Sequence, residues 1–300
     1  MFSKVEPFLL HSLSSVHAGS GSEVGIVDLP IQRESHTGYP KIESSTLKGA
    51  LRMTVTDIAD LHENRQQLLE KVSLVFGASP KESSNENLAS AIGLADARIL
   101  FFPVKSLRGV FAWVTSPYAL NRFVNELKLY GSNLLEGLKI PQEPSVSSDK
   151  LFIRDNKIVL EEYTFELNES EKLKQVAETL QGKLFQGFDS DFAERVVLLN
   201  DNDFLDFVKL STEVNTRINI DPITGTVKPG ALWNEENVPP ETIFYSFLFA
   251  SHVRKINDLD DLKTADDVTS FLKNPEILPN VFQLGGNSTL GRGMLRIIWL

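Results

Sequence analysis

Three of the chain's five histidines, His11, His17 and His36, lie within the first 36 residues, and Asp28 sits between the last two. A loop carboxylate can take a proton or hold a divalent cation, and a nearby imidazole can take or give a proton near neutral pH. Asp28 is therefore a candidate general base or metal ligand, and His17 a candidate proton carrier. The alternative is that Asp28 caps a turn and His17 is an ordinary loop histidine. Lys48 and Arg52, four residues apart, share one face of a helix just inside its N-terminus, where unpaired amides attract anions. They read equally well as a solvated face. Near the other end, Arg292 stands between Gly291 and Gly293, downstream of Gly285 and Gly286. Free backbone N–H groups and a guanidinium converge readily on a phosphate, whereas the same residues also suit a simple glycine-rich turn.

Two familiar nucleotide loops are excluded. Gly19, Gly21 and Gly25 are spaced G-x-G-x-x-x-G, one residue too long for a dinucleotide fingerprint, and no helical pattern opens at the third glycine. The C-terminal glycines lack the Gly-Lys-Ser/Thr of a phosphate-binding P-loop and precede a strand pattern instead of a helix. With no cysteine in the chain, thiolate metal sites, disulfides and cysteine nucleophiles are excluded as well.

The elements that must position these residues follow from periodicity. The first 16 residues alternate as a strand, and the Gly-, Ser- and Pro-rich run that follows predicts a long ordered loop carrying His17 and Asp28. Leu47, Leu51, Val55, Ile58 and Leu61 then recur at spacings of four and three, predicting an amphipathic helix with Ser44 or Ser45 as N-cap. Residues 79–93 are polar and loop-like. ARILFFPVKSL and GVFAWVTSPY predict two strands turning at Arg108-Gly109, residues 119–140 a helix, 141–150 a connector, 151–166 strands and 169–213 an acidic helical stretch. VNTRINIDPITGTVKPGALWNEE, punctuated by Asp-Pro and Thr-Gly, predicts a long β-hairpin. FYSFLFASHV reads as a buried strand, 258–274 as an acidic helix, and the chain ends on a glycine-rich loop feeding a last strand. Strands and helices interleave with hairpins instead of following strict βαβ order, so an α+β fold with ferredoxin-like topology is expected.

The 300-residue chain can bury a sizeable core, and its 42% hydrophobic and 23% charged residues are ordinary for a globular protein. Net charge is −10, which taken globally argues against binding a polyanion. The charge is uneven: residues 155–213 hold 14 Asp/Glu against 6 Lys/Arg, while residues 280–300 hold Arg292 and Arg296 with no acid. A nucleic-acid face would use the two ends of the chain. No secretory signal or 18-residue apolar run is visible, so a cytoplasmic protein without a membrane partner is expected.

The N-terminal stretch HAGSGSEVGIVDLPIQRESHTGYPKIESSTLKGALR resembles the N-terminal signature of the RAMP superfamily, the RNA-binding proteins of CRISPR systems, and GGNSTLGRG resembles that family's C-terminal glycine-rich loop. The form VDLPIQRE, with ADARILFFPVKS and RINIDPITGTVKPGALWNEENVPPETIF, is similar to the backbone subunits of type III-B (Cmr) effector complexes. The resemblance is weakest over 119–210. It implies a single domain over 1–300: a modified ferredoxin-like, RRM-like palm, a helical finger insertion at about 45–93 and a β-hairpin thumb at about 213–237. It further implies copies stacked head to tail along a CRISPR guide RNA, with other Cmr subunits as partners. Complementary target RNA would be cut at regular intervals with a divalent metal ion, Mg or Mn.

By the same resemblance Asp28 is the catalytic aspartate and His17 a supporting residue. Asp96 and Glu236 match auxiliary acids, with Glu235 an equal candidate to Glu236. Lys48, Arg52, Arg217, Gly285, Gly286, Arg292 and Gly293 would bind RNA backbone, and the hairpin tip at 222–226 would wedge the duplex. Within the superfamily the competing expectations are a non-catalytic guide-RNA scaffold and a guide-processing endoribonuclease. Outside it, a metabolic enzyme on a ferredoxin-like scaffold would need a closed small-molecule pocket.

Overall fold

A computed structural model of the chain describes residues 2–22, 25–78, 89–254 and 261–300. The chain opens with β1 (Lys4–Ser12), a long loop, β2 (Lys41–Ile42) and the helices α1 (Ser44–Leu61) and α2 (Arg65–Phe76). Next come β3 (Ile92–Leu94), β4 (Ala97–Lys105), β5 (Phe111–Thr115), α3 (Pro117–Leu129) and β6 (Ser145–Val146). The middle holds β7 (Lys157–Leu160), β8 (Tyr163–Glu166), β9 (Asn168–Glu169), α4 (Glu171–Leu184), β10 (Val196–Leu198) and α5 (Asp201–Leu210). The chain closes with β11 (Glu213–Ile220), β12 (Val227–Asn237), β13 (Ile243–Ala250), α6 (Ala265–Lys273), β14 (Val281–Gln283) and β15 (Met294–Trp299). Part of the polar loop expected at 79–93, residues 79–88, lies outside the described residues, as does the start of the helix expected from 258.

The fold is α+β. One sheet runs β14-β15-β1-β13-β4-β5-β10-β6-β9, with β2 added to β4 and β3 to β13. It extends well beyond a ferredoxin-like unit. β1 lies antiparallel between β13 and β15, so the two ends of the chain meet as neighbouring strands toward one edge of the sheet. Strand alternation divides two cores across the sheet: Phe8 and Leu10 of β1 join Leu47, Leu51 and Val55 of α1 on one face, while Leu9 joins Phe123 of α3 and Leu180 of α4 on the other. β13 is apolar along both faces because both are covered, which is why its sequence runs FYSFLF without polar alternation. The parallel pairing of three-residue β10 with β5 within the stretch expected to be helical was hidden from periodicity by its shortness.

Outside the sheet, β11 and β12 pair antiparallel from Glu213↔Asn237 to Ile220↔Val227, closing a turn in which Asp221 N–H donates to Thr226 O. Helix α1 begins where its spacing predicts, but its cap differs from expectation. The N-cap is Glu43, which supplies no side-chain cap; instead the Ser44 amide donates to Oδ1 of Asp96, at 2.9 Å. The tertiary fold thus brings a carboxylate to the helix N-terminus that sequence reading assigned to Ser44 or Ser45. Helix α3 stops at Leu129, short of 140, and no helix among the described residues is long and apolar enough to cross a membrane.

Candidate active site at the hairpin root

The last residues of β12 use one strand edge for β11 and leave the other to the N-terminal loop. Along that second edge the hydrogen bonds run in order. Asn234 N–H donates to Oδ2 of Asp28 at 2.7 Å, and Asn234 O accepts from Leu29 N–H at 3.0 Å. Glu236 N–H then donates to Leu29 O at 3.0 Å, and Glu236 O accepts from Nδ1 of His17 at 2.6 Å. Val238 and Val16 exchange both backbone bonds at 2.9 Å, completing the edge. Every polar group from Asn234 to Val238 that faces this side is paired, and the pairing places Asp28 and His17 two strand residues apart, roughly 6–7 Å of strand rise.

Their free atoms differ. Asp28 is solvent-exposed, with Oδ2 anchored and Oδ1 open. His17 is half-buried; because a carbonyl can only accept, Nδ1 carries the hydrogen, and in the neutral ring Nε2 is left as the proton acceptor. Such an arrangement can take a proton from a substrate hydroxyl at one atom while a carboxylate attracts a cation or a donor at the other.

Glu235 and Glu236 are both only 5% exposed, but strand alternation sends their side chains different ways. Glu236 accepts from Ile31 N–H at 3.1 Å, Arg33 Nη2 at 2.5 Å and Thr212 Oγ1 at 2.8 Å. Arg33 also donates to the carbonyls of Gly38 and Val208, both at 3.0 Å, so one guanidinium ties the loop, α5 and the hairpin root together. Glu235 accepts from Asn287 Nδ2 at 2.5 Å and lies within ion-pair range of Arg292 Nη1 at 3.4 Å and Arg217 Nε at 3.9 Å. Both side chains are thus tied into the root by hydrogen bonds and ion pairs.

Of the other sequence-predicted site residues, Asp96 is not joined to this cluster by any hydrogen bond among the described residues. It accepts from Lys41 Nζ at 2.9 Å and from the α1 N-terminus. Burial raises its pKa, but the Lys41 ammonium, the Ser44 amide and Arg98 together outweigh it and hold the carboxyl below its ordinary value. Lys48 turns inward, its Nζ 3.4 Å from Ile92 O, and burial, reinforced by Arg52, lowers its pKa. That geometry is unlike a solvated phosphate-gripping face.

Arg292 Nη1 donates to Asn237 Oδ1 at 2.9 Å as well as facing Glu235. The glycine loop's close backbone approach is to the chain itself. Gly286 N–H donates to His17 O at 3.0 Å, and a Cβ on Gly285 would stand 2.3 Å from that same oxygen. Gly293, at φ +77°, faces Leu284 O in the same way. The two glycine-containing segments identified at opposite ends of the sequence are therefore in contact. Arg33, Thr212, Asn234 and Asn287 were not legible as site residues: each is ordinary in spacing, and only Arg33, five residues after Asp28, carried a charge that could have drawn notice.

Among the described residues no group of three or more His, Asp or Glu converges as a metal cage. The open oxygen of Asp28 fits a weaker arrangement, in which a hard cation is held by one carboxylate together with substrate phosphates and water.

Comparison with known proteins settles the family. The RAMP superfamily profile matches residues 9–296. The chain belongs to the RAMP superfamily. Within it, this RAMP chain is 38% identical over 298 residues to the CRISPR system Cmr endoribonuclease Cmr4 of Pyrococcus furiosus, covering 96% of this chain and 93% of that protein. The crystal structure of oligomeric Cmr4 from Pyrococcus furiosus superposes with TM-score 0.69 at 30% identity over 99% of both chains. A chain of the type III-B Cmr-beta complex bound to cognate target RNA shares the fold, with TM-score 0.73 at 24% identity over 99% of this chain and 98% of that one.

Proposed function

We propose that this RAMP chain is the backbone subunit of a CRISPR RNA-guided effector complex of the Cmr type, stacking in copies along guide RNA and cutting complementary target RNA. The reading is supported by similarity to an endoribonuclease and to an oligomeric structure over nearly the whole chain. The observation that carries it is the hairpin root, where β12's second edge holds Asp28 and His17 side by side with one reactive atom open on each. In this scheme α1 and α2 form the finger region, the β11–β12 hairpin is the thumb, and the complex works in the cytoplasm.

His17 Nε2 takes the proton of the target 2′-hydroxyl. The 2′-oxygen then bonds to phosphorus as the bond to the 5′-oxygen breaks, leaving a 2′,3′-cyclic phosphate and, after protonation, a 5′-hydroxyl. Asp28 Oδ1 would hold a divalent ion with the RNA phosphates; when bound, such an ion neutralises charge on the phosphoryl oxygens. The hairpin tip, with Ile223 92% exposed, presses the duplex out of regular geometry at the cut. Arg52 and Arg217 contact backbone without reading bases, since guide pairing supplies sequence specificity.

Labelled complementary RNA incubated with the complex, reconstituted from guide RNA and purified subunits, tests the reading. Wild type with magnesium should give a ladder of evenly spaced products, lost with chelator and in Asp28→Ala while target binding persists. A ladder surviving Asp28→Ala would make the chain a guide-RNA scaffold.

A further inference from the structure

The C-terminal glycine loop carries an arginine and invites reading as a phosphate cradle, yet its donors point at the chain's own site. Two sets of loop contacts flank the hydrogen bond between His17 and Glu236. The loop's backbone holds the strand-like segment that carries the ring: Gly286 N–H donates to His17 O at 3.0 Å, and Gly293 N–H donates to Ser15 O at 2.9 Å. The loop's side chains hold the residues on either side of the ring's acceptor: Asn287 grips Glu235 at 2.5 Å, and Arg292 grips Asn237 at 2.9 Å and faces Glu235. Between those two residues lies Glu236, whose carbonyl accepts from Nδ1 of His17. The loop therefore fixes both ends of one hydrogen bond, the backbone that presents the ring and the strand that presents the carbonyl.

The glycines are required by that closeness. Gly285 adopts φ +89°, and an added Cβ would stand 2.3 Å from His17 O, more than 1 Å inside the 3.4 Å of ordinary contact. Because the obstructing atom is backbone, His17 itself would have to move. A Cβ on Gly19 would stand 2.7 Å from His17 Nε2, so the ring edge that must stay open to substrate is bordered by bare backbone. Arg292 is half-buried, and the partners of its Nη1 are intramolecular, which leaves it poorly placed to give a phosphate the two-pronged contact for which arginine is suited.

We infer that the glycine-rich loop at 284–293 serves cleavage as the frame that orients His17, with Gly285 and Arg292 as positioning residues that act through the imidazole rather than by gripping RNA. The inference rests on the assignment of the proton-accepting role to His17. The ring's hydrogen stays on Nδ1 because Glu236 O is held in reach, and Nε2 stays a base for the same reason. Loosening either half of the frame lets the ring rotate or exchange tautomers, and the base is lost without any loss of RNA affinity.

The test uses full-length chain in the reconstituted complex, comparing wild type with Arg292→Gln and, as a second route to the same ring, Gly285→Ala. Target-RNA affinity is measured across a salt series, single-turnover cleavage at saturating target is followed against pH, and ¹⁵N-histidine spectra of the free chain, assigned with His17→Gln, report the His17 tautomer. The expected result is a cleavage rate reduced on the order of 10- to 100-fold, the scale set by a misplacement of about 1 Å. Affinity and its salt dependence should be unchanged, and the His17 signals should show a loss of the Nδ1–H form.

A salt slope reduced by about 0.7–0.9, the signature of one lost phosphate contact, would overturn the inference and restore the cradle. A wild-type rate in Arg292→Gln, or a lowered rate with unaltered His17 signals, would overturn it equally. Failure of the underlying assignment is separable: it appears as full cleavage by His17→Gln itself.

Discussion

The two ends of the β11–β12 hairpin are built from one sequence motif and have opposite physical characters. At the root, Glu235 and Glu236 are buried, every backbone group on the loop-facing edge is paired, and Arg33 and Arg292 bind the strand from two sides. At the tip, Ile223, Ile220 and Val227 stand exposed around a turn held chiefly by bonds to Asp221. The root is a tertiary object whose shape depends on segments 200 residues away in the chain, whereas the tip is a local turn whose apolar side chains stand in solvent. A site that must hold atoms within a fraction of an ångström belongs at the first, and a part that must insert into a partner belongs at the second.

Substitutions separate the two ends. The largest expected effect is on chemistry at the root: Asp28→Ala should lower single-turnover cleavage by about 10²- to 10⁴-fold, the range for loss of a positioned catalytic group, with assembly intact. Cleavage retained at a tenth of the wild-type rate or more would remove Asp28 from the site.

Next is the root's stability. Glu236→Ala strands Arg33 and the Ile31 amide in a buried setting, and denaturant unfolding should show a loss of about 3–5 kcal/mol. A loss under about 1 kcal/mol would mean that the root tolerates water and is no more rigid than the tip.

Asp96→Asn gives a smaller effect of a different kind. Removing the charge at the α1 N-terminus should cost about 1 kcal/mol at neutral pH. The carboxyl's folded pKa lies below its unfolded value, so its stabilisation is present above about pH 4 and is lost as pH falls through the folded pKa. The gap between wild type and variant should therefore narrow below about pH 4 in a series of unfolding curves, and a gap that widens on acidification would contradict the sign.

The smallest stability effect belongs to the tip. Ile223→Ser should change unfolding free energy by under about 0.5 kcal/mol, because the side chain is already in water. The same variant should weaken target cleavage in the assembled complex if the tip wedges the duplex. Unchanged cleavage would confine function to the root.

Much of the fold was legible because periodicity reports burial. The spacing of Leu47, Leu51 and Val55 describes the face that α1 buries, and Asp-Pro with Thr-Gly marks the hairpin turn. The helix cap was not legible, because Asp96 reaches Ser44 across half a hundred residues and no local pattern encodes that approach. The choice between Glu235 and Glu236 was equally hidden. Adjacent strand residues point to opposite sides, but which side holds Arg33 and which holds Arg292 depends on where two distant loops dock. Arg292 between glycines suggested a phosphate grip, whereas its partners Glu235 and Asn237 lie more than 50 residues earlier.

By itself, the sequence determined the α+β class, the long N-terminal loop with Asp28 and His17, the hairpin, and membership of the RAMP superfamily through motifs at both ends. These are local properties: spacing, turn chemistry and short signatures survive in one dimension. Only the tertiary structure decided which atoms of those residues stay free. Backbone hydrogen bonding is obligatory for buried strand edges, so the docking of the loop on β12 consumes Oδ2 of Asp28 and Nδ1 of His17 and leaves Oδ1 and Nε2 open. That partition comes from the packing of segments far apart in the chain, and no spacing within the sequence encodes it.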